Sequence, residues 1–399
     1  MLTIVMPTYW QRKKNQPAKH GDFVFDHPTP LDGKDTLTRT LESLALVEGE
    51  FNVVVITATV NHEIDQEVEV RVEKIISSFR KNYPIMQFAA SDLTIVRKRI
   101  THLGLKPEDI SLDGYSSIRN CQLLVPAVMG SDVIAALDDD EVVEPDYALK
   151  TQAFLGKQIG KKRADGIAGR YFYEWGNYRV KEFPGTREAE NLFDRKHALQ
   201  NDSYDLFDSR SGRVVETSIT LGGNMVFSRD LFINVPFDPQ VTRGEDIDYM
   251  INSRMMGYNW MLDKELKIYH FPPPCNPSHK LQEDIIRFIY EKKKIELARN
   301  IEGLHAVFVE DLKPYPGEFF TEDLEKDALK ALKDRNGFSG KETFFMDPEE
   351  TMETARQRAE FAVDFFPFIE RWKEIISTLS KDDELVGYFQ NKITGHSDI

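Results

Sequence analysis

The sequence predicts an α/β protein, a mixed and mostly parallel sheet flanked by helices, with a C-terminal helical appendage. Three observations predict it. Short apolar runs, Leu2 to Met6, Phe51 to Thr59 and Val133 to Leu137, suit parallel strands covered on both faces, and segments of helical period separate them. The run VIAAL ends abruptly at Asp138, Asp139 and Asp140, with Glu141 directly behind, and open α/β sheets bind ligands beyond the carboxyl ends of their strands. Beyond Pro277 the sequence turns to helical patterning alone. Because one core rarely grows past about 250 to 300 residues, the 399 residues divide into an expected sheet domain at 1–275 and a helical region at 276–399.

Composition excludes several classes. With 51 basic against 66 acidic residues the net charge is -15, which argues against a nucleic-acid surface or a polybasic membrane anchor. The two cysteines, Cys121 and Cys275, imply neither a disulfide framework nor a cysteine metal site. The N-terminus lacks the basic-then-apolar order of a signal peptide, and no apolar run approaches the roughly 20 residues of a membrane span. A cytoplasmic protein without a transmembrane segment is expected.

In chain order, Leu2 to Met6 is read as a strand ending at Pro7, Thr8 and Tyr9, where the loop opens on the ligand side. The polar stretch from Trp10 to Lys34 exceeds the usual connection of about 2 to 6 residues and is read as a lid, a pocket wall or a surface insertion. Asp35 is a candidate N-cap for a helix carrying Leu37, Leu41 and Leu44 on one face. Val68 to Tyr83 reads as helical and stops before Pro84, while Ile95 to Gly114 is expected to hold a short strand and a loop. Ser116 to Met129 is a helix ended by Gly130 and kinked at Pro126; it places Arg119 near a helix start, where the dipole favours phosphate, or else in a surface salt bridge. Three adjacent acids repel one another, so Asp138 to Asp140 suit a hard divalent cation bridging to phosphate, or form a solvated acidic turn.

Later segments carry further candidates. Ile167 to Tyr173 reads as a strand with Arg170, followed by a charged excursion to Glu216 whose arginines could hold an anionic acceptor or lie in scattered ion pairs. Leu221 to Arg229 reads LGGNMVFSR, and Gly244, Glu245 and Asp246 are followed by Tyr249, Arg254, Gly257 and Tyr258. Lys267 to His270 is a strand leading into Phe271 and three prolines. In the C-terminal region Leu281 to Asn300 is helical with Lys292 to Lys294 on an expected solvated face, Thr321 to Lys333 and Pro348 to Ser380 follow as helices, and the Phe361-to-Trp372 aromatic stripe is read as core.

The order of these motifs, MPTY, an Arg-Asn pair on a helix, LDDD, GGN, GED and a late histidine, resembles the GT-A (Rossmann-like) glycosyltransferases and is similar in particular to the family 2 pattern. The resemblance covers residues 1 to 275. It implies a nucleotide-sugar enzyme in which Asp138 and Asp140 form the D-x-D pair, Asp140 and His270 hold Mn2+ or Mg2+ with Asp138 also at the metal and nearer the ribose, and Asp139 lies at the donor. Pro7, Thr8, Tyr9, Arg119, Gly223 and Asn224 are the other implied donor-binding positions. Asp246, with Glu245 as its alternate, is the implied base, and a carboxylate placed to accept a hydroxyl proton is sound chemistry for a weak nucleophile. The implied partners are a UDP- or GDP-sugar donor and a hydroxyl acceptor of unassigned identity, transfer proceeding with inversion.

The sequence departs from that pattern after the first two strands. It reads Tyr9, Trp10, Gln11 and Thr57, Ala58, Thr59, Val60, Asn61 where the family's base-recognition residues stand, so uridine and guanosine both stay open. A retaining GT-A enzyme and a non-catalytic nucleotide-sugar or carbohydrate-binding protein of the same fold are the alternatives. A nucleotidyltransferase would carry a glycine-rich, arginine-bearing loop after the first strand, which this chain lacks. The C-terminal helices are expected to pack on the sheet or to form a homodimer.

Overall fold

The computed structural model describes residues 1–273, 280–336 and 347–395. The expected domain boundary at 275 and 276 lies outside them. Strands β1 (Leu2–Gln11), β2 (Thr29–Pro30), β3 (Asn52–Thr59), β4 (Ile85–Phe88), β5 (Val133–Ala136), β6 (Glu141–Val143), β9 (Gly166–Phe172), β10 (Val214–Glu216), β11 (Met225–Ser228) and β12 (Trp260–His270) form one sheet; β7 (Gln158–Ile159) and β8 (Lys162–Arg163) make a separate hairpin. The order across the main sheet is β10-β12-β9-β11-β5-β1-β3-β4, with β2 on β1 and β6 on β12. β1, β3, β4 and β5 are mutually parallel, and β11 runs antiparallel between β5 and β9. This is the expected mixed, mostly parallel sheet flanked by helices.

Helices α1 (Leu37–Leu44), α2 (Asp65–Ser77), α3 (Ala90–His102), α4 (Tyr115–Val128), α5 (Tyr147–Ala153), α6 (Lys196–Ser209), α7 (Arg229–Asn234) and α8 (Glu245–Met255) connect and cover the strands. Asp35 accepts from the Thr38 N–H at 2.7 Å and so closes the start of α1. The helical region contributes α9 (Lys280–Ala298), α10 (Leu324–Asn336), α11 (Pro348–Glu360), α12 (Phe365–Leu379) and α13 (Asp383–Thr394). Phe365, Phe368, Ile369 and Trp372 of α12 are buried in the same apolar cluster as the sheet, while Phe361 stays half exposed. The Trp372 indole donates to the Phe232 carbonyl, and Arg371 and Arg99 bridge to Asp109 and Asp382, fastening α12 and α13 to the sheet domain. Among the described residues no helix is long and apolar enough to cross a membrane.

Four local expectations are corrected. β1 does not end at Pro7 but runs on to Gln11. The Val5 carbonyl accepts from Leu137, just past β5, so position 7, two residues on, faces the same side, and β5 pairing has already ended at Val5. The missing proline N–H therefore falls where no ladder bond is needed. Ile95 to His102 is helix, because Leu93, Val96 and Ile100 recur at helical spacing on the buried face and the Asp92 carboxylate accepts from the Ala89 N–H; the short strand comes earlier, at Ile85–Phe88. Pro348 to Ser380 is two helices separated by a 3-10 turn at Phe361–Asp364. Lys294 is not solvated: it is wholly buried, donating to Asp238 at 2.8 Å and Asp248 at 2.6 Å.

Candidate active site

The carboxyl end of β5 delivers its acids into a cavity of about 290 Å³, whose wall includes Tyr9, Arg119, Asp138 to Asp140, Gly222, Glu245, Asp246 and His270. A tight turn sets the acids apart. The Glu141 N–H donates to the Asp138 carbonyl, and the Glu141 carboxylate accepts from the Asp138 N–H at 2.8 Å. Asp139 points back into the sheet, taking a bond of 2.6 Å from the Thr8 hydroxyl, and its carbonyl accepts from Thr40. Asp140 points the other way, towards His270.

β12 brings His270 to this place from a distant part of the sequence. His270 pairs with Glu141 in the antiparallel ladder to β6, and the Phe271 N–H donates to the Asp140 carbonyl at 3.0 Å. His270 Nε2 lies 3.5 Å from Asp140 Oδ1, and ligand atoms of Asp140, Glu141 and His270 all fall within 4.8 Å of one another. Oxygens of Asp140 and Glu141 and Nδ1 of His270 are buried without hydrogen-bond partners, so the donor set suits a hard cation. Burial, reinforced by Asp138 and Asp140, drives the Glu141 carboxyl well above its ordinary range.

Asp138 is turned instead towards Arg119, whose Nη2 lies 2.9 Å from Asp138 Oδ1. The same guanidinium reaches Glu245 at 3.2 Å and Gln122 at 3.1 Å. Burial opposes the Arg119 charge, but the carboxylates of Asp138 and Glu245 restore it. Burial raises the Asp138 carboxyl despite Arg119. Arg119 is therefore a buried cation at the cavity wall and not a surface salt bridge.

The glycines of the GGN segment leave room for this machinery. A Cβ on Gly222 would lie 2.5 Å from Arg119 Nη2, and one on Gly223 would lie 2.1 Å from Glu141 Oε1. Their smallness accommodates protein side chains here. Asn224 is fully buried behind the wall, held by Tyr147, the Arg170 carbonyl and the Leu266 carbonyl. Of the β1 positions only Tyr9 faces the cavity, its ring packed on Phe25 and Tyr115 with centroids at 4.6 and 5.3 Å; Thr8 acts through Asp139, and Pro7 is a strand residue.

Across the cavity, α8 starts at the left-handed Gly244 with Glu245 and Asp246 in its first turn, where acids suit the dipole. Asp246 Oδ2 accepts from the Gly222 N–H at 3.0 Å and Oδ1 from the Ile247 N–H at 2.8 Å. Burial, then Glu245, push the Asp246 carboxyl up to about 6, against the pull of Arg287 and Arg119. Such a group is a carboxylate at neutral pH and close to a proton acceptor's useful range.

The long insertions supply the rest of the wall. Asp26 and His27 come from the 10–34 stretch, and Lys196 and Gln200 from α6. In the 174–216 excursion Arg179 pairs with Asp205 and Arg187 with Glu182 and Asp202, Arg170 of β9 pairs with Asp208, and Arg213 reaches out to Asp263. Sequence reasoning passed over Glu141 as a ligand, and also Lys196, Arg243, Arg287 and Tyr315, which reach the cavity from elements far apart in the chain. Only the fourth acid of the DDDE run offered a signal.

No protein-family model matches the sequence, and no curated protein matches it. Among solved structures the chain is similar to the mannosyltransferase PcManGT from Pyrobaculum calidifontis, in complex with GDP-Man and Mn2+, at 12% identity over 96% of this chain and 87% of that one, with a TM-score of 0.45. It is similar to S. aureus TarS at 12% identity over 94% of this chain and 55% of that one, with a TM-score of 0.43. A mycobacterial protein is similar at 14% identity over 72% of each chain, with a TM-score of 0.39. The chain spans about half the length of TarS.

Proposed function

We propose that the protein is a metal-dependent glycosyltransferase that moves a sugar from a nucleoside-diphosphate sugar, with UDP or GDP as the carrier, to an acceptor hydroxyl with inversion. The observation that carries the reading is the meeting of Asp140, His270 and the Asp246 carboxylate on the wall of one cavity at the strand ends, with Glu141 buried behind that wall within ligand distance of the first two. Asp140, His270 and Glu141 would hold Mn2+ or Mg2+, and Asp138 would orient Arg119. A divalent cation there supplies the positive charge that stabilises a departing diphosphate.

The chain's own residues account for the other parts. Arg119 contributes fixed positive charge beside the acids. Asp246, fixed by two backbone N–H groups, takes the acceptor proton while the acceptor oxygen bonds to the anomeric carbon and the bond to the donor phosphate oxygen breaks. Glu245 is tied to Arg119 and holds that charge near the base. Tyr9 and Tyr115 offer an aromatic wall on the donor side.

A thermal-shift panel of UDP, GDP and their sugars, with and without Mn2+, tests the binding half, because a ligand selective for the folded state raises apparent stability by mass action. A metal-dependent rise with one nucleotide family is expected, and no rise with any of them overturns the reading. NMR of the product anomer tests the base, and a retained configuration removes Asp246 from that role. Transfer should rise with pH through an acid limb near 6 as Asp246 loses its proton.

A further inference from the structure

Helix α9 lies in the region expected to be an appendage, yet one of its faces enters the cavity. Asp284, Arg287, Glu291 and Lys294 recur at spacings of three and four, and all four are buried. Asp284 and Arg287 stand on the cavity wall. The Arg287 guanidinium lies against the turn that opens α8.

Gly244 there adopts φ +70°, and a Cβ on it would lie 2.0 Å from Arg287 Nη1 and 2.6 Å from its Cζ. Two independent features thus demand glycine: the left-handed backbone and the arriving guanidinium. Arg287 Nη1 donates to the Gly244 carbonyl at 3.4 Å, and Nη2 donates to the Tyr315 hydroxyl at 3.0 Å. Tyr315 is itself anchored, its N–H donating to Ser203 Oγ of α6 and its carbonyl accepting from Ser218. On the opposite side, the Thr220 hydroxyl donates to the Asp246 carbonyl and the Gly222 N–H to its carboxylate. The turn from Gly244 to Asp246 is therefore held between the 220–222 segment and a cation supplied by α9.

We propose that Arg287 is a positioning residue, which fixes the Gly244 turn and with it the Asp246 carboxyl, and so makes the C-terminal helical region part of the reacting centre. The role in transfer rests on the reading of Asp246 as base; the positioning of the carboxyl does not. The ionisable groups facing Asp246 are Glu245 beside it, Arg119 from α4, Arg287 from α9, Tyr171 from β9 and Tyr204 from α6. Arg287 is the cation among them that comes from beyond the sheet domain.

The test reads that carboxyl directly. In ligand-free full-length protein labelled with 13C at the aspartate carboxyl carbons, the Asp246 signal is identified by its loss in Asp246→Asn and titrated in the parent, Arg287→Gln and Arg287→Lys. The midpoint should rise by about one pH unit in Arg287→Gln and stay near the parent value in Arg287→Lys. An unchanged midpoint in a folded Arg287→Gln protein overturns the proposal, whether or not sugar transfer is observed. Should that variant fail to fold, Tyr315→Phe removes only the hydroxyl that orients Nη2; a smaller upward shift supports the proposal and none overturns it. With transfer established in the parent, Arg287→Gln should lower kcat by about tenfold or more with donor KM within twofold. A raised donor KM at constant kcat overturns the positioning role. Absence of turnover in the parent would remove the transferase reading and leave the titration to decide the rest.

Discussion

Two buried clusters of charge flank helix α8, and they are balanced in opposite ways. On one side Asp248 and Asp238 share Lys294, with Tyr290 donating to Asp238 and Asn252 to Asp248, so both carboxylates are hydrogen-bonded to a buried cation. On the other side Glu245 and Asp246 share a cavity wall with Asp138 and Asp140, Glu141 lies buried behind it, Arg119 bridges Asp138 and Glu245, and several of those oxygens have no hydrogen-bond partner. Burial of charge is tolerated when it is paired, as in the first cluster. The surplus of acid in the second fits the cation of the proposed reading. Adjacent residues of one helical turn thus face a packed ion cluster on one side and the cavity on the other.

The largest expected effect breaks the balanced cluster. Lys294→Met leaves Asp238 and Asp248 buried without their cation and should cost about 3 to 5 kcal/mol in urea unfolding; a loss below 1 kcal/mol would equate it with a surface pair. Asp140→Ala strikes the unbalanced side. It should lower transfer by about 10²- to 10³-fold and abolish any Mn2+-dependent rise in Tm while leaving the ligand-free Tm near that of the parent. Gly223→Ala sharpens the comparison by pressing a methyl group on Glu141, and should cost about 1 to 3 kcal/mol along with weakened Mn2+ binding in titration calorimetry.

The last effect is one of pH dependence and concerns Glu291, between the two clusters. Its carboxyl is fully buried without hydrogen-bond partners, and burial pushes it from 4.5 up to about 8, against the pull of Arg287 and Lys294. The folded state then holds a proton that the unfolded state has released, so stability falls as pH rises from about 4.5 to about 8. Glu291→Gln should flatten that fall, checked by comparing denaturation midpoints across the window. Parallel curves for parent and variant would place Glu291 with the paired ions.

The sheet domain was readable because its strands are continuous apolar runs and its helices keep a clean period. The strand-end acids, Arg119, Asp246 and His270 were readable as candidates because each sits where an element begins or ends, and the structure brings them to one cavity. Position 7 misled because a proline signals a break unless the neighbouring strand has already departed. Ile95 to His102 misled through its β-branched pair Ile95 and Val96, which conceals the helical spacing of Leu93, Val96 and Ile100. Lys294 and Arg287 were beyond reach for a different reason. A charged residue on a helix reads as solvated unless its partners are known, and those partners, Asp238, Asp248 and Gly244, lie some 40 to 60 residues away.

The backbone ladder joining His270 to Glu141, with the Phe271 N–H on Asp140, has one more consequence. These three side chains hang from a hydrogen-bonded scaffold and not from a pliable loop, so their separation is set before any guest arrives. On the proposed metal-binding reading, little ordering entropy would be lost on capture. Discrimination among ions should accordingly follow radius and preferred coordination number more than the malleability of the chain.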